Sequence, residues 1–194
     1  MTTVPATDGR SARAERTRDS VVNAVLELVT AGNPRPTAKE IADQAGISVR
    51  SVYVHFDDLD DLFRAAVDRH QEHLAGLLYL IDAGLPIADR IRLKIDQRVE
   101  LFERFGAVRR AAQQWAPQSP AFQRALKRGS KIARMDLDRL FGAEIHDPDL
   151  RDLTLAAVDA VSGPAAWDTL RENGNSVEEA RAIITFALTR LLER

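Results

Sequence analysis

The chain has no cysteine. That excludes a disulfide framework, a thiolate zinc module and a thiol redox sensor. Aromatic residues are scarce, at 6%. Ala, Leu, Arg, Glu and Asp dominate instead, a mixture that favours helix over sheet. No apolar run approaches the roughly 20 residues that cross a bilayer, so no membrane contact is expected. Met1 to Arg18 is polar and Arg-bearing, with no apolar stretch of signal-peptide length. A cytoplasmic location is therefore expected. The formal net charge is only −2, which excludes a uniformly basic nucleic-acid coat. A DNA role would need locally placed cations. Gly-rich phosphate loops and nucleophile motifs are missing as well, so neither an enzyme nor a cofactor is expected. His70 and His73 flank Glu72, but no third ligand stands at a useful spacing, and no metal site is assigned.

What remains is an apolar fraction of 45% over 194 residues, enough to bury a real core. From about Thr17 onward its periodicity is helical. Met1 to about Arg16 shows no period and reads as a flexible N-terminal arm (residues 1–16), mildly basic through Arg10, Arg13, Arg16 and Arg18. Val21, Val25, Leu28 and Val29 mark a first helix from about Thr17 to Ala31. Asn33-Pro34-Arg35-Pro36 is a turn. Thr37-Ala38-Lys39-Glu40 is a capping box that opens a second helix, ending near Ala45. Gly46 supplies the turn, and Ser48 caps a short third helix through about His55. A fourth begins at Asp57-Asp58-Leu59-Asp60-Asp61, where carboxylates suit the positive end of the helix dipole, and is expected to reach about Ile81. Helices follow from Pro86 to the end. The expected fold is all-α, with about nine helices and no sheet. Residues 17–56 form a three-helix domain, and residues 57–194 a larger helical one.

Thr37 to Phe56 has the spacing of a helix-turn-helix. Ala42 is small where two helices cross, and Gly46 follows where the turn requires a positive φ. Ile41, Ala45, Ile47 and Val52 are expected to fill the small core. A third helix so placed can enter a major groove with its first turns facing base edges. Any two amphipathic helices around a glycine share part of this pattern. A helical protein–protein interaction module therefore stands as the alternative, favoured by the aspartates at 57, 58, 60 and 61.

The stretch TAKEIADQAGISVRSVYVHFDDLDDLF resembles the N-terminal signature of the tetracycline-repressor (TetR/AcrR) family. The matching elements are Thr37, Ile41-Ala42, Ala45-Gly46-Ile47-Ser48, Tyr53, His55-Phe56 and Leu62-Phe63, within about Val21 to Val67. The resemblance implies a ligand-responsive regulator, in the usual case a repressor, that binds a pseudo-palindromic operator as a homodimer and is released by a small apolar or amphipathic effector. It implies that Thr37 meets a phosphate and that Ser48, Val49, Arg50 and Ser51 face the major groove. Tyr53 and His55 would hold the DNA backbone, and Phe56 would pack in the core. Arg50 is the base-reading candidate, because a guanidinium bonds guanine O6 and N7 together. Arg16, Arg18 and Lys39 are further DNA candidates. The competing readings are core packing for Tyr53 and a plain surface position for His55 and, more often than a DNA contact, for Lys39. Two departures stand out. The family usually places a small residue at Arg50, with the basic one at Val49, and commonly a Lys at Leu59.

By the same resemblance, Pro86 to Phe141 should hold an effector pocket. Leu101, Phe102, Phe105, Trp115, Phe122, Met135 and Trp167 could wall it. Arg98, Arg109, Gln113, Gln114 and Asp136 could orient a ligand. A helix from about Pro148 to Glu172, kinked at Gly163-Pro164, and a last helix opened by Ser176-Val177-Glu178-Glu179 carry broad apolar faces. Leu153, Ala157, Val161, Ile184, Leu188 and Leu191 are the dimer-interface candidates, packing within one chain being the other reading.

Overall fold

Ala, Arg and Glu between Ser11 and Arg16 are good helix formers, and here they are helical although none of them is fully buried. In the computed structural model, which describes residues 7–75, 78–145 and 147–192, helix α1 spans Thr7–Thr30. The expected start at Thr17 is therefore corrected. The arm expected over residues 1–16 is helical from Thr7, and residues 1–6 lie outside the described ones. Thr17 donates its hydroxyl to the Arg13 carbonyl at 3.0 Å, continuing the helix through that boundary. Among the residues of α1 whose burial is described, the first buried one is Val21, followed by Val22, Ala24, Val25 and Val29.

The remaining helices are α2 (Ala38–Ala45), α3 (Val49–His55), α4 (Leu59–Ala75), α5 (Ile87–Trp115), α6 (Pro120–Phe141), α7 (Pro148–Ser162), α8 (Pro164–Glu172) and α9 (Val177–Leu192). Single 3-10 turns follow α5 and α6. Among the described residues there is no strand. Two boundaries differ from expectation. Helix α4 stops at Ala75 rather than near Ile81, and Ile81 enters the core from a non-helical segment. The helix expected over Pro148–Glu172 is two helices, not one kinked one. Proline at 164 cannot donate a backbone bond. A Cβ on Gly163 would also lie 2.7 Å from the Asp159 carbonyl oxygen, so the break needs glycine.

The chain divides into two compact units, and not at the expected residue 57. The first comprises residues 1–75 and 107–123, so that α4 and the end of α5 join the three N-terminal helices. Its core holds Val21, Val25, Ile41, Val52, Phe56, Leu62 and Phe63. Trp115 closes it, with its ring 3.8 Å from that of Phe63, tilted by 45°, and 6.3 Å from that of Phe122.

The second unit comprises residues 76–106 and 124–194. Its core is Ile91, Ile95, Leu137, Leu140, Phe141, Val158, Trp167, Ala180, Ile184, Leu188 and Leu192. Helix α9 turns Ala180, Ile184, Leu188 and Leu192 inward at a spacing of four. A second capping box opens it, with Ser176 Oγ accepting from Glu179 N at 3.1 Å and the Glu179 carboxylate accepting from Ser176 N at 2.7 Å. These bonds to Ser176 hold the Glu179 carboxyl below the usual carboxylate range.

Candidate nucleic-acid interface

Thr37 begins α2 with a complete capping box. Its hydroxyl accepts from Glu40 N at 3.3 Å, and its own N–H donates to Glu40 Oε2 at 2.7 Å. The same carboxylate oxygen also takes the Thr37 hydroxyl proton at 2.7 Å. The backbone bond from Thr37 leads the causes that hold the Glu40 carboxyl below its usual range. Both donors expected to meet a phosphate are therefore already engaged by Glu40.

Gly46 ends α2 at φ 67° and ψ 33°, the left-handed conformation that the spacing called for. The reversed chain bonds back through Ile47 N to Ala42 O at 3.0 Å. Ser48 then caps α3, accepting from Ser51 N at 3.1 Å, and the two hydroxyls lie 2.9 Å apart. Ile41, Ala42, Val52 and Phe56 are buried as expected; Ala45 and Ile47 are only half-buried.

These constraints present one face of α3 outward. Val49, Arg50, Tyr53 and Val54 are exposed, and Ser51 and His55 are partly so. Tyr53 is 50% exposed and is not a core residue. Arg50 makes no ion pair among the described residues and extends from the first turn of the helix. Lys39 and Arg16 are likewise exposed and unpaired among the described residues. Arg18 differs: its guanidinium stacks 4.8 Å from the Phe56 ring centroid.

The aspartates after α3 have local uses. Asp58 Oδ1 accepts from Asp61 N at 2.7 Å and so caps α4. Asp60 accepts the Ser119 hydroxyl at 3.0 Å, and Asp61 pairs with Arg64 at 3.4 Å. Leu59, where the family often has Lys, is half-buried.

Two features of this unit carried no sequence signal. Trp115 donates its indole N–H to the Pro34 carbonyl at 3.0 Å, in the turn just before α2. Arg35 stacks on the same ring at 4.8 Å and bonds Gln118 at 2.8 Å. The second feature is an open groove of about 410 Å³ lined by Arg13, Arg16, Thr17, Ser20 and Ile47.

The effector candidates are divided between the two units. Trp115 and Phe122 pack in the first unit's core, and Gln113 and Gln114 are exposed on that same unit. Arg98, Phe102, Phe105, Asp136 and Trp167 belong to the second unit. There the Trp167 ring centre lies 6.1 Å from that of Phe102, and its N–H donates to Glu103 at 2.9 Å. Arg98 is buried and pairs with Asp159 at 3.6 Å. Met135, expected as a wall, is exposed, and Leu101 is half-buried. Of the dimer candidates, Ile184 and Leu188 fill the chain's own core, while Leu153 is 67% exposed. Ala157, Val161 and Leu191 are half-buried. No group of three His, Cys, Asp or Glu side chains that could hold a metal occurs among the described residues, and none of their helices is long and apolar enough to cross a membrane.

A glycine-cornered pair of helices that presents a short, exposed second member defines a helix-turn-helix DNA-binding domain. Residues 24–66 match the sequence model of the family described as bacterial regulatory proteins, tetR family. No curated protein matches its sequence. Solved structures share its fold over nearly the whole length. A TetR transcription regulator from Haloarcula marismortui superposes with a TM-score of 0.70 at 17% identity, covering 92% of this chain and 97% of that one. A transcriptional regulator from Rhodococcus gives 0.67 at 19% identity, covering 91% and 96%. The multidrug binding protein EbrR, solved with imidazole, gives 0.65 at 22% identity, covering 99% and 98%.

Proposed function

We propose that this regulator is an effector-released repressor that binds a pseudo-palindromic operator as a homodimer. One observation carries the DNA reading. Arg50 stands exposed and, among the described residues, without an ion pair on the first turn of an α3 whose other face is locked into the core. A guanidinium so placed can bond the guanine edge in the major groove. Ser48, Val49, Ser51, Tyr53 and His55 share the accessible surface of that helix, and Lys39 and Arg16 add cations beside it. The cytoplasm is the inferred place of action.

Dimerisation is supported by apolar side chains that the chain does not cover. Leu153 on α7 and Phe186 on α9 are 67% and 64% exposed, on two helices that pack together within the second unit. A two-fold pair of such surfaces would fix the distance between two recognition helices, and hence the half-site spacing. For the effector, Phe102 and Phe105 offer half-buried aromatic surface in the second unit. EbrR, which shares the fold, is described as multidrug binding. Release would follow from linkage. A coupling of about 1–3 kcal/mol changes operator affinity roughly 5- to 150-fold.

The test is fluorescence anisotropy of the purified chain against a random duplex library, with selection of the bound fraction. A selected two-fold repeat, with affinity falling steeply as salt rises, is the expected result. Absence of duplex binding at low salt would return the alternative, a helical module that binds protein.

A further inference from the structure

Arg90, Lys94 and Arg98 recur every four residues, so they share one face of α5, and all three are buried in the second unit. A buried guanidinium ordinarily needs acceptors for its five N–H donors. Arg90 has them: it donates to the Leu85 carbonyl at 2.8 Å, to the Leu140 carbonyl and to both oxygens of Glu144. Arg98 is held more sparely. Among the described residues its Nη1 donates to the Ser162 hydroxyl, and its Nη2 stands 3.6 Å from Asp159 Oδ1, longer than a good hydrogen bond. We propose that Arg98 anchors the head group of a carboxylate-bearing amphipathic effector. The proposal rests on the effector-release reading above and names the chemistry of its ligand.

The local charge selects the head group. Lys94 feels the positive charges of both Arg98 and Arg139. Asp136 is shared between Lys94 at 2.7 Å and Arg139 at 2.9 Å, and Asp159 is left to Arg98. Three cations thus face two carboxylates, and one further negative charge would balance them. Glu103, on the next turn of α5, already serves Arg171 at 3.3 Å and the Trp167 N–H at 2.9 Å. A cationic head group would find each of these carboxylates taken. A carboxylate matches the planar fork of a guanidinium through two parallel bonds. Burial, the leading cause, pulls the Arg98 pKa below the usual arginine range despite Asp159, so an added anion would relieve it. The apolar part of the molecule has walls beside the anchor. Phe102 stands one turn after Arg98, half-buried, its ring centre 6.1 Å from that of Trp167. Val161, next to Ser162, is half-buried against the same core. Ser162 donates its proton to the Val158 carbonyl, which leaves its oxygen to accept from Arg98. It is also the last residue of α7, the helix that carries Leu153 of the proposed dimer surface. A head group that draws Arg98 from Ser162 acts on that helix directly.

The experiment titrates the full chain with octanoate and with phenylbutyrate, each beside its neutral amide and its cationic amine analogue. Calorimetry and thermal unfolding report binding, and anisotropy on the library-selected duplex reports release. The carboxylates should bind roughly tenfold or more tighter than either analogue and raise the unfolding temperature. Arg98→Met should erase that preference while leaving the amide's affinity unchanged, and Arg98→Lys should recover part of it. Asp159→Asn removes the competing carboxylate. It should lower the unfolding temperature of the free chain and enlarge the shift that octanoate produces. An arginine that merely holds α5 to α7 would give no such enlargement. Should Arg98→Met fail to fold by circular dichroism, Arg98→Lys and Asp159→Asn decide the matter. Equal binding of the three head groups, a preference for the amine, or no binding of either carboxylate overturns the anchor. Release of the duplex by an amide or amine while the carboxylates stay unbound overturns the anchor and keeps the effector-release reading. Carboxylates that bind through Arg98 and release nothing keep the anchor and overturn that reading.

Discussion

Lys94 Nζ lies 2.7 Å from Asp136 Oδ2, joining α5 to α6 inside the second unit. The ammonium is buried, and burial, the leading cause, pulls its pKa below the usual lysine range despite the carboxylate beside it. The pair belongs to a closed polar chain. Lys94 also donates to Gln97 at 2.8 Å, and Gln97 donates to the Tyr79 carbonyl at 2.9 Å. Asp136 accepts from Arg139 at 2.9 Å, and Arg139 donates to the Ile81 carbonyl at 2.9 Å. The non-helical segment before α5 is thus held at two carbonyls by one network.

Removing one member should cost more than removing the pair. Asp136→Asn leaves a buried ammonium without its counter-charge, a change that costs about 3–5 kcal/mol at comparable sites. Asp136→Asn/Lys94→Met should recover a large part of that loss. Urea midpoints of the two variants and the wild type check the order.

Arg50→Ala should cost about 1–3 kcal/mol on the selected operator and relax preference at one base per half-site. Lys39→Ala should instead weaken every duplex alike, with a salt slope shallower by about one. Binding measured across a site library separates the two. Unchanged preference in Arg50→Ala would show that another residue reads the bases.

Gly46→Ala tests the corner by its backbone alone. A Cβ there would meet nothing within 4 Å, yet φ is +67°. The left-handed conformation costs a non-glycine residue about 1–2 kcal/mol. Thermal unfolding should register that loss, and Gly46→Asn should lose less, since Asn tolerates this region.

His70 is buried on α4, and burial, with a lesser push from His73, lowers its pKa from 6.5 to about 4. The folded chain therefore resists a proton that the unfolded chain accepts. Stability from this group is full above about pH 6.5 and falls as pH drops from there toward 4. Urea midpoints between pH 7 and 5 should decline in the wild type and decline less in His70→Gln. The capping carboxylates Glu40 and Glu179, with lowered values, lose their contribution only in more acid solution.

Leu153→Arg and Phe186→Arg place charge on exposed apolar positions, so neither should unfold the chain. Each should shift the sedimentation of the proposed dimer toward monomer and weaken operator binding more than binding to a single half-site. Sedimentation equal to the wild type in both variants would move the interface elsewhere.

The helix-turn-helix was legible because its signals are local. A capping box, a glycine four residues after a small alanine and a serine cap each act within one turn of chain. The last helix was less so. Its apolar residues occupy two faces, and periodicity does not say which meets the chain's own core. Ile184 and Leu188 proved internal, while Phe186 and Ile183 are exposed. The start of α1 was unreadable for the opposite reason, since residues 11 to 20, none of them fully buried, leave no apolar stripe to find. Trp115 and Pro34 meet across a separation of 81 residues, for which the sequence carries no mark.

That last contact gives the molecule a built-in optical probe. The chain has two tryptophans, and each compact unit contains one: Trp115 in the first and Trp167 in the second. Replacing Trp167 by Phe leaves an emitter hydrogen-bonded to the turn that leads into α2. Its emission would follow events at the DNA-binding end without any attached dye, and the reciprocal variant would follow the other half of the chain. Melting and titration could then be recorded separately for each half in an otherwise native protein.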